Sequence, residues 1–436
     1  MWFNEACIYQ IYPLGLCGAP AENDGIREHR ILRVLDWAEH IRGLNMTAVL
    51  FNPVFESDRH GYDTRDFFAL DCRLGTNEDF AQVCDALHAA GLKVILDGVF
   101  NHVGRGFWAF RDVQQKKWDS PYKDWFHLDF NGDTQYGGDG FWYEGWEGHN
   151  ELVKLNLQNP AVVEHLLEAV RRWAQEFEVD GLRLDVAYSL PPEFLARLRR
   201  FAEQLKPEFA LLGETLHGDY NRWMNDDACH SVTNYECYKG LWSSFNSGNM
   251  FEIGHSLARQ FGPEPWTLYR GKHLLSFLDN HDVERIASML TNPAHLRPAY
   301  GLLFGMPGVP AVYYGSEWGI QGKKSEGDAA LRPALEIPRK NELTDWVAAL
   351  AAARQKSEAL RYGNYRNLLL TNAQIIFERA VEKERVLVAV NAAGEPFTAH
   401  FDAGAGCAID LVTGLPHDFG GGSLLEPYSV CYWQVS

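Results

Sequence analysis

Gly181-Leu182-Arg183-Leu184-Asp185 is a short apolar run that closes on an acid, and the chain repeats this pattern. Lys93-Val94-Ile95-Leu96 runs into Asp97, and Ala210-Leu211-Leu212-Gly213 runs into Glu214. Leu274-Leu275-Ser276-Phe277-Leu278 runs into Asp279-Asn280-His281-Asp282. Runs without polar alternation read as strands covered on both faces, as in a parallel sheet. Working outward from them, strands are expected at 6–12, 47–51, 93–100, 181–185, 210–214, 231–234, 274–278 and 310–314. Helical patterns lie between, among them 79–90, 160–177, 192–204 and 251–261. Eight strands alternating with helices predict an α/β fold, a (β/α)8 TIM barrel, in preference to a doubly wound sheet. No GxGxxG follows the first strand, which argues further against a dinucleotide-binding fold.

The cadence breaks after the third strand. Residues 101–150 are rich in Trp, Phe, Tyr, Gly and Asp without a sustained period, and an insertion of that length in a compact domain is usually functional. From about residue 360 the chain turns to short strands separated by Gly, Pro and Asn, the pattern of an antiparallel β-sandwich. The organisation expected is a barrel over 1–100 and 151–355, an inserted domain over 101–150 and a C-terminal β-sandwich over 356–436.

The 436 residues carry 40 basic and 58 acidic side chains, a net charge of −18. Such a surface repels phosphate backbones, so no nucleic acid is expected as a partner. A neutral, polyhydroxylated ligand suits it better, and 13% aromatic content offers faces for stacking. No stretch reaches the roughly 18–20 apolar residues of a membrane span, so no membrane partner is expected. Met1-Trp2-Phe3-Asn4-Glu5-Ala6 has neither the basic nor the apolar part of a signal peptide. The eight cysteines form no CxxC and no regular framework. The expectation is a soluble cytoplasmic protein. The sequence fixes no oligomeric state.

Four acids at successive strand ends converge on the C-terminal face of a barrel, where chemistry sits in this fold. Several carboxylates in one pocket fit metal-assisted hydrolysis or carboxylate chemistry on a glycosidic bond. The metal reading calls for clustered His ligands, such as an HxH pair on the first strand, and Tyr9-Gln10-Ile11-Tyr12 offers none.

These segments resemble the alpha-amylase family of glycoside hydrolases. Asp97-Gly98-Val99-Phe100-Asn101-His102, Gly181-Leu182-Arg183-Leu184-Asp185-Val186-Ala187, Gly213-Glu214-Thr215 and Phe277-Leu278-Asp279-Asn280-His281-Asp282 are similar to its four sequence regions, in order. Ile8-Tyr9-Gln10-Ile11-Tyr12-Pro13, His60-Gly61-Tyr62-Asp63-Thr64 and Gly308-Val309-Pro310-Ala311-Val312-Tyr313-Tyr314-Gly315 extend the likeness over nearly the whole chain. Within the family it is most similar to the neopullulanase, cyclomaltodextrinase and maltogenic amylase group. Phe110-Arg111-Asp112-Val113 and Tyr122-Lys123-Asp124-Trp125-Phe126 match that group's insert. Two departures stand out. The group usually has an N-terminal sheet domain, whereas here the first barrel strand begins at about residue 6. Tyr188 also stands where the group commonly has Asn followed by Glu.

The resemblance implies a retaining enzyme that cleaves α-glucosidic bonds in malto-oligosaccharides or cyclodextrins through a covalent glycosyl-enzyme. Asp185 is implied as nucleophile, Glu214 as acid/base and Asp282 as stabiliser of an oxocarbenium-like transition state. Arg183, two residues from Asp185 on one strand face, would hold that carboxylate ionised, with Asp97 as its structural partner. His102 and His281 would bind hydroxyls of the sugar at the cleavage site, and Tyr62 would stack beneath it. Of Trp108, Trp125, Trp142 and Trp146 in the insert, Trp142 or Trp146 is favoured as a glycan platform. No cofactor is implied. A metal is not expected either: in secreted amylases calcium takes Asn101's equivalent and a His carbonyl where this chain has Ser189, leaving an incomplete shell. The alternatives are a transglycosylase or sugar isomerase using the same intermediate, or a non-catalytic glucan-binding homologue. Retention of Asp185, Glu214 and Asp282 argues against the last.

Overall fold

The computed structural model describes residues 1–435; Ser436, the last residue of the expected sandwich range, lies outside the described residues. The eight expected barrel strands are all present: β1 (Ile8–Ile11), β2 (Ala48–Phe51), β3 (Lys93–Gly98), β4 (Gly181–Leu184), β5 (Ala210–Gly213), β6 (Ser231–Val232), β7 (Leu275–Phe277) and β8 (Val309–Tyr313). They pair in parallel, β6-β5-β4-β3-β2-β1-β8-β7 in space. Closure between β6 and β7 rests on a single bridge, Thr233 to Leu275, where the Asn234 N–H donates to the Leu275 carbonyl at 2.8 Å.

Helices α1 (Leu35–Gly43), α2 (Asn77–Ala89), α3 (Pro160–Glu176) and α4 (Pro192–Leu205) follow the first four strands. Thr76 caps α2 in a reciprocal box with Asp79, and Asn159 with Pro160 starts α3. The alternation then departs from the expected pattern. Between β5 and β6 there is only a 3-10 turn, Tyr220–Arg222, whereas β6 is followed by two helices, α5 (Tyr235–Ser247) and α6 (Phe251–Phe261). Helices α7 (Leu296–Gly305) and α8 (Glu342–Lys356) complete the ring. The insert also holds more order than its aperiodic sequence suggests. A nine-residue helix, Trp108–Lys116, buries Ala109, Phe110 and Val113, and His102–Gly104 pairs antiparallel with His149–Lys154.

The C-terminal strands are β9 (Asn364–Leu370), β10 (Gln374–Ala380), β11 (Arg385–Asn391), β12 (Phe397–Ala399), β13 (Cys407–Asp410), β14 (Pro416–Asp418), β15 (Ser423–Leu425) and β16 (Val430–Val435). Six form an antiparallel sheet, β9-β10-β11-β16-β13-β14, and β12 pairs with β15. Ile376, Leu387, Leu425 and Trp433 lie in the core between the two layers. The sandwich docks on α7 at two glycines. A Cβ at Gly301 would lie 2.5 Å from Val430 Cγ2, and one at Gly305 would lie 2.7 Å from Val388 Cγ1. Gly301→Val is therefore expected to destabilise the protein by about 1–3 kcal/mol through overpacking. An unchanged melting temperature would show that the two units are not held this closely.

Candidate active site

Side chains alternate across each strand, so residues two apart share the barrel interior. The lower interior is apolar, with Ile8, Leu50, Ile95, Leu212, Phe277 and Ala311 in one buried cluster. Two positions further along the same faces stand Gln10, Asn52, Asp97 and Glu214, all buried. They form a hydrogen-bonded belt. Gln10 Nε2 donates to Asn52 Oδ1 at 3.0 Å, and Asn52 Nδ2 donates to Asp97 Oδ2 at 3.3 Å. Arg183 Nη1 donates to both Asp97 oxygens at 2.9 Å and to Asp185 Oδ1 at 2.9 Å. Its Nη2 lies 2.8 Å from Glu214 Oε1. One guanidinium thus serves three acids.

Asp185 and Glu214 are 5% and 6% exposed, and their remaining surface faces a cavity of about 450 Å³. Burial raises both carboxyls above the ordinary range, with Arg183 opposing it in each case. The Val186 N–H donates to Glu214 Oε2 at 2.9 Å. Val186 does so from a left-handed backbone, φ 41° and ψ 48°, which a β-branched residue rarely adopts. Such strain costs of order 1–3 kcal/mol and persists only where the surroundings enforce it.

Asp282 comes from the loop after β7. His281 Nε2 lies 3.0 Å from its Oδ2, and Arg332 Nη2 lies 3.1 Å from its Oδ1. Its depth in the site would raise the carboxyl, but His281 and Arg332 overcome this and hold it well below the usual range. Asn52 must turn its amide N–H toward Asp97, and that places the same nitrogen 3.3 Å from His281 Nδ1. Nδ1 therefore accepts, and the Nε2 proton is donated to the Tyr62 hydroxyl oxygen at 2.5 Å, with Asp282 beside it. The Tyr62 ring stacks on His281 at 5.5 Å, and its hydroxyl is 3.0 Å from Asp97 Oδ2. His102 also lines the cavity. Burial first, and His60 second, push it down to about 3, so it is uncharged at neutral pH. Its Nε2 is buried and lacks a protein hydrogen-bond partner, at 3.8 Å from Asp185 Oδ2.

Tyr62, His102, Asp185, Glu214 and Asp282 all line the cavity. Arg183 and His281 stand behind it, Arg183 only 4% exposed and His281 only 2%, and reach its contents through the acids. Several lining residues carry no strand-end signature and were not expected. Arg332 and Asp328 arrive from the long segment after β8, and Arg332 lies over the Tyr12 ring at 4.7 Å. Tyr188 and Tyr235 complete the wall beside the acids. Trp146 reaches the cavity from the insert, 5.7 Å from His102, whereas Trp142 faces solvent at 42% exposure.

One group elsewhere has the donor atoms of a metal site: Glu56, Asp71 and Cys72 bring theirs within 4.8 Å of one another. Their oxygens are already engaged, Asp71 by Arg73 at 2.7 Å and Glu56 by the Cys72 N–H at 2.7 Å.

The profile of the alpha amylase catalytic domain matches residues 32–363. Neopullulanase 2 of Thermoactinomyces vulgaris is 32% identical over 445 aligned positions, covering 95% of this chain and 74% of that protein. A cyclomaltodextrinase of a Bacillus species is 29% identical, covering 89% and 73%. Among solved structures, the ligand-free cyclic alpha-maltosyl-(1→6)-maltose hydrolase of Arthrobacter globiformis superposes with a TM-score of 0.85 at 27% identity, covering 100% of both chains.

Proposed function

Since the chain belongs to the alpha-amylase family of glycoside hydrolases, we propose that Asp185, Glu214 and Asp282 cleave α-glucosidic bonds in short malto-oligosaccharides and cyclodextrins. The observation that carries this reading is the shared guanidinium of Arg183, which holds two cavity-facing acids, Asp185 and Glu214, at adjoining strand ends. Four acids (Asp97, Asp185, Glu214, Asp282) surround two guanidiniums, Arg183 and Arg332, an excess of two negative charges. One proton taken up by Glu214 halves the excess, and burial favours that uptake. Burial raises Asp185 as well, and the N–H bond from Arg183 opposes it there; the proton is assigned to Glu214 because the departing oxygen must receive one.

In the first step Asp185 attacks the anomeric carbon while Glu214 gives its proton to the departing oxygen. Asp282, ionised beside His281 and Arg332, faces the positive charge that develops on the sugar. In the second step Glu214 takes a proton from water, and the hydroxide breaks the glycosyl ester to Asp185. His102 Nε2, lacking a partner in the protein, meets a hydroxyl of the bound sugar. Arg183 and His281 act on the substrate through the acids they hold. No metal or cofactor enters the reading.

The same reading takes 1–100 with 151–355 as barrel, 101–150 as insert and 356–436 as sandwich. It places the enzyme in the cytoplasm. Free cysteines support that location, all eight being unpaired among the described residues. No helix among those residues is long and apolar enough to cross a membrane.

Trp146 and Tyr188 wall the cavity on one side, and Lys324, Asp328 and Arg332 on the other. Remote units of a long chain then contribute little binding to the transition state. On maltotriose to maltohexaose or cyclodextrins, kcat/KM should exceed that on soluble starch about tenfold at equal chain ends. Thin-layer and mass analysis of products from maltotriose, pullulan, β-cyclodextrin and starch tests both linkage and length. Equal efficiency on starch would remove the short-chain assignment.

A further inference from the structure

The face of the barrel opposite the catalytic cavity holds a small cationic pocket. Three segments build it: 270–273 just before β7, Pro307-Gly308 just before β8, and 361–365 where the chain enters the sandwich. Arg379, on β10, closes it from the sandwich side. It encloses about 20 Å³, room for one compact ion and too little for a sugar ring. Arg270, Lys272, His273, Arg361 and Arg379 face it, and among the described residues no Asp or Glu lines it. In a chain of net charge −18 this is a local inversion of sign.

Two guanidiniums at this joint are buried without an acid to balance them. Arg379 is 1% exposed and donates only to backbone carbonyls, that of Gly363 at 3.0 and 3.1 Å and that of Gly305 at 2.9 Å. Arg354, on α8, is fully buried and donates to the carbonyls of Phe304, Met306 and Gly308, the last of these in the pocket wall. Burial first, and Arg354 second, hold Arg379 well below the usual arginine range. Positive charge buried in this way is costly until an anion meets it. Arg354 Nε and His273 Nδ1 are buried without a hydrogen-bond partner. Burial, and after it Arg354 and Arg379, push His273 down to about 4, so its ring is uncharged at neutral pH.

We propose that this pocket binds a phosphate group, either free inorganic phosphate or the phosphoryl end of a small sugar phosphate, and that the bound anion ties the sandwich to the barrel. The donors are in place. Arg379 keeps one N–H on each terminal nitrogen, and Arg270, whose Nε and Nη2 serve the Gly262 and Glu264 carbonyls, keeps both on Nη1. Arg361 spends Nη1 on Glu5 at 2.6 Å and keeps both N–H groups on Nη2. Guanidinium forks suit the separated oxygens of a phosphate. Lys272 adds charge alone, since its ammonium donates to Asn221 and the Met224 carbonyl. The rim at Arg270 and Gly271 is exposed, so an ester substituent on the phosphate remains outside. The Ser231 hydroxyl donates to the His273 carbonyl at 2.6 Å, which links the pocket to β6 as well as β7.

The inference stands apart from the catalytic assignment, and its test reads stability. The full chain is melted over a titration of sodium phosphate, with sodium chloride replacing it at constant ionic strength. The melting temperature should rise saturably by at least about 2 °C. In Arg379→Met the rise should disappear. In Arg270→Gln, a change at an exposed side chain, the half-saturating concentration should increase about tenfold. Glucose 6-phosphate, titrated in the same way, distinguishes the sources. Half-saturation below that of inorganic phosphate supports a sugar phosphate as the ligand, and half-saturation above it supports free phosphate. A wild-type protein with no saturable rise overturns the inference. So does a half-saturating concentration that Arg270→Gln leaves unchanged, a result that decides the matter even if Arg379→Met does not fold.

Discussion

Asp185→Asn is expected to lower kcat by a factor on the order of 10⁴ or more, because the amide cannot form the glycosyl ester. The loss should fall on kcat with little change in KM. The fold should survive, and the variant should melt no lower than the parent at pH 8. Arg183 would still hold Asp97 and Glu214, and one buried charge fewer would remain to be desolvated. Steady-state kinetics with a thermal melt decide this. Retention of more than about one per cent of kcat would remove Asp185 from the nucleophile's role.

Arg183→Met should cost stability as well as activity. It strands Asp97, Asp185 and Glu214, each 6% exposed or less, without their common cation. Breaking a buried ion pair from one side costs about 3–5 kcal/mol. The loss should depend on pH in a particular direction. Burial already sets Asp185 and Glu214 above the ordinary carboxylate range, and removal of Arg183 raises them further. A carboxyl with a folded value above its unfolded one favours the fold below about pH 4, and that advantage disappears as pH rises through the folded value. The deficit against the parent should therefore widen from acid to neutral pH in thermal melts. Arg183→Lys should lie between, since one ammonium cannot span three carboxylates. A deficit independent of pH would mean that the guanidinium serves packing alone.

The barrel was legible because its strands are short apolar runs ending in an acid, a signal that survives without any alignment. The same feature pointed to Asp97, Asp185, Glu214 and the loop from Asp279 to Asp282, and the family resemblance singled out Asp185, Glu214 and Asp282 among them. What escaped the sequence lies where neither period operates. The segment that delivers Lys324, Asp328 and Arg332 has no strand-end rhythm, and only the fold brings it over Tyr12 and Asp282. The missing helix between β5 and β6 leaves no mark in a reading that expects strict alternation. β14 and β15, three residues each, are too short for an alternating pattern to declare itself. The role of Arg183 was half legible. Its spacing from Asp185 predicted that contact, and the resemblance implied Asp97 as its partner, but its hold on Glu214 depends on the register of the adjacent strands.

The single bridge between β6 and β7 gives the barrel the mechanics of a hoop shut by one clasp. Between β1 and β2 the ladder runs over four residue pairs, and between β5 and β6 over two. At Thr233 and Leu275 the join is a single isolated bridge, reinforced by the Ser231 hydroxyl donating to the His273 carbonyl at 2.6 Å and by the Tyr235 and Tyr238 rings against Phe277. Tyr235, which lines the catalytic cavity, stands next to Asn234, the clasp's own donor, so the joint that shuts the barrel is tied directly to the wall of that cavity.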